Sequence, residues 1–521
     1  MIPADLDFET DVLVIGGGLT ATWAAAAAAQ AGADVVLVDK GYCGTSGVTA
    51  TAGPNHWWAP PGRRAEAIDR QMERSRGLGD ADWMSRVLDL TWTSLPRLAG
   101  YYDFPGDERG EGRFRALRGP EYLRAMRRLV EDLGVKVLDH HPALELLVHA
   151  DGAVAGARGL RRQSSGDWRA RAGAVILATG GCAFLSRLLG SHTNTGDGLL
   201  MAAEAGAELS GMEFTGYYTA SPARSTMTRS VSYAFASYRD DAGRPLDIPA
   251  GESTRALARA LLSGPVFCRF DRMPARFRER LHLIQPNALL PFARSGVDPF
   301  EDWFEVTLRA EGTVRGVGGL KVADDDCQTR VPGLFAAGDA ASRELVAGAI
   351  SGGGAQNSAW ALSSGQWAGR AAAIRSYRHG RRAETAASAV GEAGLRGRSA
   401  DGVQAVVRSV QAEMLPYDKA LFRSGAGLTR SLGALDEAWA QARDLGGEGR
   451  GLLRSREAAA MAATARWCCT AALARAESRG LHVREDAPEE DVRLTRRQTV
   501  SGLDVVTSRF EPAAQVSEAV A

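Results

Sequence analysis

At 521 residues the chain is too long for one hydrophobic core and calls for about two to four domains, and 62 basic against 62 acidic residues exclude a global field drawing it to nucleic acid or an anionic membrane surface. The longest apolar run, around Trp23 to Ala29, is mostly alanine and too short to span a bilayer, and no basic-then-apolar leader opens the chain, so a cytoplasmic protein without a membrane span is expected. Six scattered cysteines (Cys43, Cys182, Cys268, Cys327, Cys468, Cys469) contain no CxxC spacing, so no zinc or iron–sulfur centre is expected on this chain.

The first element reads Asp11-Val-Leu-Val-Ile-Gly16-Gly17-Gly18-Leu-Thr-Ala21, then an alanine-rich run, then Asp34-Val-Val-Leu-Val-Asp39. This is a strand, a glycine turn, a helix and a second strand closed by an acid, the fingerprint of a dinucleotide site. Gly16 permits the tight turn, Gly18 lets a pyrophosphate approach the backbone, Ala21 lets helix and strand pack closely, and Asp39 is placed to accept hydrogen bonds from a ribose. A loop of small residues follows from Lys40 to Gly53 and ends in the aromatics Trp57 and Trp58. From about Ala65 to Leu133 the pattern is mostly helical, ending in an amphipathic helix that starts on Pro120. Strand-like runs come next at Val135–Leu138, Leu144–His149 and Val154–Leu160, then a buried strand closing on Ala178-Thr179-Gly180-Gly181. Asn194-Thr195-Gly196-Asp197-Gly198 opens another helix. Between about Met212 and Val314 this punctuation disappears, as in an inserted domain, and it resumes at Gly318-Gly319. Val331-Pro332-Gly333-Leu-Phe-Ala-Ala-Gly338-Asp339 and a glycine run before Asn357-Ser358 then lead into a long small-residue helix. The remainder is helical and polar and ends in an extended tail from about Val492.

Together these segments resemble the flavoprotein family of succinate dehydrogenase and fumarate reductase, which also includes L-aspartate oxidase and the flavin subunit of adenylylsulfate reductase. Ala178–Gly181 resembles the family's ATGG strand end, Thr195–Gly198 its TGDG turn, and Met212-Glu213-Phe214 the start of its capping domain. Pro332–Asp339 resembles its second flavin-contacting strand, Asn357-Ser358 its NS helix start, and Glu477-Ser478-Arg479-Gly480-Leu-His482-Val-Arg484-Glu485-Asp486-Ala-Pro488 its ESRGAHxRxDxP signature. The resemblance implies an α/β fold with an α+β cap: a Rossmann-like FAD-binding domain split over 1–211 and 315–372, an inserted capping domain at 212–314, and a C-terminal helical domain with an extended tail at 373–521. It implies that Gly16, Gly18, Asp39 and Lys40 hold the ADP half of FAD, and that the loop carrying Thr45, Ser46, Gly47 and Thr49 lies under the ring. Ala178, Thr179, Gly180 and Asp197 line the same cofactor, Gly338-Asp339 meets its ribityl-pyrophosphate side, and Asn357-Ser358 places a helix N-terminus near the pyrimidine edge. The membrane enzymes attach FAD through a histidine after a serine in this loop. Gly47 follows Ser46 here, so non-covalent FAD is expected, with Cys43 and His56 set aside as attachment points.

The residues by which the family reads dicarboxylates are largely absent. Tyr218 stands at the place of a substrate-contacting histidine, Arg315 is offered where the family has another, and Gly348–Gly353 contains no arginine. A four-carbon dicarboxylate needs charge-assisted hydrogen bonds at both ends, so fumarate and succinate are not expected substrates. The family's proton-transferring arginine has its match in Arg255, with Arg259 as the alternative. Tyr218 or Tyr217 could supply a phenol as acid or base, Arg315 an anion-binding or flavin-tuning charge, and Trp57 and Trp58 one wall of an apolar pocket. The implied function is an FAD-dependent oxidoreductase moving a hydride between flavin N5 and a small organic substrate, by desaturation, double-bond reduction or amine oxidation. Two alternatives stay open: a flavin subunit exchanging electrons with an iron–sulfur partner protein, and a non-catalytic flavin-binding protein.

Overall fold

The computed structural model describes residues 6–106, 113–164, 166–226, 230–249, 253–351, 353–380 and 387–512. Its main sheet has eight strands. Leu6–Ile15 lies at its centre, flanked by Asp167–Leu177 on one side and by Val35–Val38 and Lys136–Leu138 on the other. These pairings are parallel, as is that of Leu334–Ala336 with Asp167–Leu177. Beyond them Val154–Leu160, Ala143–His149 and Ala387–Ala389 continue the sheet antiparallel. Val35–Val38 is buried throughout, and Leu6–Ile15 and Asp167–Leu177 become continuously buried and apolar over their last four residues, where they lie in the core.

The register decides where the cofactor can go. Ile15 pairs with Val38 on one side and Leu177 on the other, and Leu177 pairs in turn with Ala336. The four strands therefore end together, and the turns that follow them, at Gly16, Asp39, Ala178 and Gly338, open at one edge. That edge, the carboxyl end of a parallel sheet, is where such sheets bind ligands.

The helix Leu19–Gln30 leaves this edge and packs on the long helix Gly353–His379. Their contact is close enough that a Cβ at Gly365 would lie 2.7 Å from the Thr20 carbonyl oxygen, and one at Gly369 would lie 2.3 Å from that of Ala24. Helix Gly119–Asp132 starts against the turn Val48–Thr51: the Gly119 N–H donates to the Ala52 carbonyl at 2.9 Å, and a Cβ at Gly119 would lie 1.8 Å from the Thr49 oxygen.

The segment between Tyr218 and Ala310 forms its own five-stranded antiparallel sheet. It carries a separate aromatic core around Phe270, Phe292 and Phe304, into which Leu421 and Phe422 of the C-terminal part insert. Helices Val403–Met414, Gly425–Arg443 and Gly449–Ala474 pack together as the C-terminal layer. The tail beyond Val492 folds back as a hairpin of Gln498–Ser501 and Thr507–Phe510. It joins Leu209–Ser210 and Gly319–Leu320, the short strands flanking the cap, in a four-stranded sheet. Those two-residue strands have an edge to offer, and the tail fills it. Among the described residues no helix is long and apolar enough to cross a membrane, and no cluster of His, Cys, Asp and Glu is arranged to hold a metal.

Candidate cofactor and active site

A groove of about 630 Å³ runs along the shared strand ends. Gly16 (φ 126°) turns out of its strand so closely that a Cβ would lie 2.3 Å from the Ala178 carbonyl oxygen, and one at Gly17 would lie 2.2 Å from Asp39 Oδ2. At Gly18 the only neighbour is the Ser46 carbonyl oxygen at 3.7 Å, so the backbone faces open groove. Gly18 is the N-cap of helix Leu19–Gln30 and brings no side-chain cap, which leaves the first N–H groups free for a phosphate. Asp39 is buried at the groove wall and accepts a short hydrogen bond from the Ser46 hydroxyl. Burial pushes its carboxyl up, partly offset by Ser46. An acid at the ribose position, bare N–H groups at the phosphate position and glycines that no Cβ could replace fit an ADP moiety.

Gly47, Thr49, Thr179, Gly180 and Asp197 line the same groove. Lys40 also lines it, but its ammonium binds Asp197 at 2.7 Å, Glu457 at 2.9 Å, the Thr193 carbonyl at 2.9 Å and Thr195 Oγ1 at 3.0 Å. Burial works against its charge, yet the two carboxylates hold its pKa above the ordinary lysine value. Lys40 thus straps the groove rim to the C-terminal helices. Of the predicted set, Thr45 and Ala21 stand off the groove, as do Gly338, Asn357 and Ser358: Thr45 is exposed and donates to the Tyr42 carbonyl, while Ala21 is buried at the base of its helix.

Thr49 and Asp339 line both this groove and a second cavity of about 280 Å³, so the two spaces adjoin there. Asn357 and Ser358 border the second cavity from the start of the long helix, and both side-chain amide atoms of Asn357 are buried without a hydrogen-bond partner. An unpaired amide donor and acceptor fit the edge of a ring presenting alternating acceptors and donors. Gly338 lies behind: its N–H donates to Ser364 Oγ and its carbonyl accepts from the Trp360 indole, both at 3.0 Å.

Arg315 enters this cavity from the short helix Gly312–Arg315 at the end of the cap. Its Nη2 donates to the Tyr217 hydroxyl at 3.2 Å, and its Nε is buried without a partner. Burial disfavours its charge, but Tyr217, Glu311 and Asp339 hold the guanidinium pKa above its ordinary value. Arg343 was not singled out in the sequence. It is 1% exposed, binds Asp339 Oδ1 at 2.5 Å, and donates to the carbonyls of Thr313, Val314 and Gly316. One guanidinium therefore fixes both the cofactor-facing acid and the turn that carries Arg315. A basic residue four positions after Asp339 was its only signal in the sequence. Gln285 and Asn287, also not anticipated, border the cavity from the cap.

Other candidates lie elsewhere. Tyr218 is 2% exposed inside the cap core, its hydroxyl donates to the Leu415 carbonyl at 3.1 Å, and burial raises its pKa further. Arg255 donates to the Gly480 carbonyl at 3.0 Å, and Arg259 lies 4.3 Å over the Phe422 ring. Neither arginine lines the cavity. Trp58 stacks on Trp92 at 3.9 Å, and Trp57 is buried. Cys43 and His56 are buried and line neither space; burial pushes the thiol up to about 12 and the imidazole down to about 4.

Residues 11–118 and 108–356 match the family model described as FAD binding domain, and residues 411–511 match that described as fumarate reductase flavoprotein C-terminus. The chain is 28% identical to L-aspartate oxidase of Mycobacterium leprae across 94% of both chains. It is 27% identical to a subunit of the fumarate reductase (CoM/CoB) of Methanothermobacter marburgensis, covering 92% of this chain and 95% of that one. Its fold is that of E. coli quinol fumarate reductase, with a TM-score of 0.82 at 21% identity over 97% of this chain and 96% of the other. The protein therefore belongs to the FAD-binding domain family and is an FAD-dependent oxidoreductase of the fumarate reductase type.

Proposed function

We propose that the cavity of about 280 Å³ under the cap is the substrate site and that it takes a small organic molecule with one anionic or carbonyl group, not a dicarboxylate. The observation that carries this is Arg315, a largely buried guanidinium that lines a space whose remaining polar lining is mostly neutral: Thr49, Gln285, Asn287 and Ser358. Asp339 is paired with Arg343, and Arg118 and Glu121 approach each other at 3.9 Å. Arg315 thus supplies a charge-assisted contact for one end of a substrate, where a dicarboxylate needs two.

Bound FAD supplies two-electron redox chemistry. This chain's residues supply the rest. Gly16–Gly18 and Asp39 hold the nucleotide, Asn357 and Ser358 anchor the ring end, Arg315 orients the substrate and stabilises charge developing on it, and the cap excludes water. No acid–base role is assigned to Tyr218 or Arg255: neither lines the cavity, the Tyr218 hydroxyl donates to the Leu415 carbonyl and Arg255 Nη2 to the Gly480 carbonyl. The aspartate oxidase relative supports amine oxidation and the fumarate reductase relative double-bond reduction as the reaction class. With Gly47 in the attachment position FAD is held non-covalently, so acid precipitation should release the colour.

The test is anaerobic mixing of the yellow protein with a panel of amino, hydroxy and saturated monocarboxylic acids, following flavin bleaching. Arg315→Met should slow bleaching by the best substrate ~10–100-fold with FAD content unchanged, the worth of one charge-assisted contact. Wild-type rates in that variant would remove Arg315 from the site. A second reading, supported by the relative that is one chain of a larger enzyme, is that a partner chain accepts the electrons. A redox protein that co-purifies and reoxidises the reduced flavin would favour it.

A further inference from the structure

A second, wider space of about 1260 Å³ adjoins the substrate cavity, and both are lined by Gly53, Arg118 and Glu121. Its character differs. One wall is aromatic: Tyr102 and Phe104 lie 4.8 Å apart between ring centroids, and Phe104 meets Phe114 at 4.9 Å. The other is the face of helix Gly119–Asp132, which presents Arg124, Arg127 and Arg128. Arg127 is tied to Asp139 at 2.9 Å and Glu131 at 2.5 Å, and Arg128 donates to the Tyr101 carbonyl at 2.6 Å. Arg124 is exposed and has no ion pair or hydrogen bond among the described residues. The inner space is small and contains Arg315; the outer one is large, partly aromatic, and lined by four arginines against two acids, Asp103 and Glu121.

We infer that the two spaces form one two-chamber site for an elongated aromatic acid, its reacting end in the inner chamber and its carboxylate outside at Arg124. The inference rests on the inner cavity being the substrate site. The aromatic wall provides flat apolar surface for the body of such a ligand, and the arginine face favours an anion at Arg124, which has no counter-charge bound among the described residues. Arg118 and Glu121, at the start of the helix that carries Arg124, form the neck between the chambers.

The experiment uses FAD-loaded protein and three probes of increasing reach: benzoate, phenylpropanoate and phenylhexanoate. Perturbation of the flavin absorbance reports the inner end, and Arg124→Gln, an exposed position outside the cofactor and substrate cavities, reports the outer end. Affinity should rise at least about tenfold from benzoate to phenylhexanoate. Arg124→Gln should erase that rise while leaving benzoate binding unchanged. Equal affinity along the series, or an Arg124→Gln effect that is absent or equal for all three probes, overturns the two-chamber site and leaves the inner cavity standing. Failure of every probe to perturb the flavin overturns both.

Discussion

Gly17 illustrates why single residues at the cofactor edge tolerate so little. A Cβ there would lie 2.2 Å from Asp39 Oδ2, and the carboxylate would have to leave the ribose position. Gly17→Ala should therefore raise the FAD dissociation constant at least about 100-fold, roughly 3 kcal/mol, measured by fluorescence titration of the apoprotein. Glu344 is a different case, a buried acid that the chemistry does not use. Burial, and next the charge of Glu213, push its carboxyl up to about 7 from 4.5, while Ser210 donates to it and one oxygen stays unpaired. A carboxyl raised in the folded state contributes stability that is full below the unfolded value and is lost as the pH rises through the folded one. Stability should thus decline between about pH 4.5 and 7 on this account. Glu344→Gln should raise the thermal midpoint at pH 8, by up to ~2–3 kcal/mol in stability, with the gain shrinking towards pH 5. A gain independent of pH would assign the effect to packing instead.

At the scale of elements, the pair of helices behind the cofactor explains an odd composition. The helix Leu19–Gln30 is alanine at seven of its twelve positions because the long helix Gly353–His379 crosses it at glycine distance, where a Cβ at Gly369 would lie 2.3 Å from the Ala24 oxygen. Each helix begins at the candidate cofactor site, one under Gly18 at the groove and the other near Asn357 at the adjoining cavity. Gly369→Ala should force them apart, lowering stability by ~1–3 kcal/mol as overpacking does, and weakening FAD binding although the residue touches no ligand. Thermal melts with and without added FAD check this; a variant with wild-type affinity would separate the packing from the site. The two strand positions on either side of the cap are too short to signal a sheet: Leu209–Ser210 and Gly319–Leu320 pair with each other, and the C-terminal hairpin extends that pair on the Leu209–Ser210 side.

Across the whole molecule, a buried cluster fastens the start of the cap to the C-terminal layer. Arg475 is fully buried and binds Glu213 at 2.7 Å and Glu477 at 2.8 Å, and it donates to the carbonyls of Leu494 and Arg496 in the tail. Arg475→Met strands the buried Glu213 carboxylate, while Glu477 keeps Arg479, and should cost ~3–5 kcal/mol, seen as a lower denaturant midpoint and earlier proteolysis at the cap boundary. Loss of under ~1 kcal/mol would mean that the cluster is dispensable to the assembly. What the sequence determined by itself was the cofactor and the fold around it. A groove that fits phosphate and ribose is made of backbone N–H groups, glycines and an acid at the end of a strand, all encoded by spacing within a few contiguous residues. What only the tertiary structure decided was the substrate site. Tyr217, Asn287, Arg315 and Arg343 come from distant segments, and whether a polar side chain faces the cavity, like Arg315, or a backbone carbonyl in a core, like Tyr218, depends on how the cap docks. No local pattern carries that information, because the contacts that orient these groups span up to 98 residues for Arg315 and 197 for Tyr218.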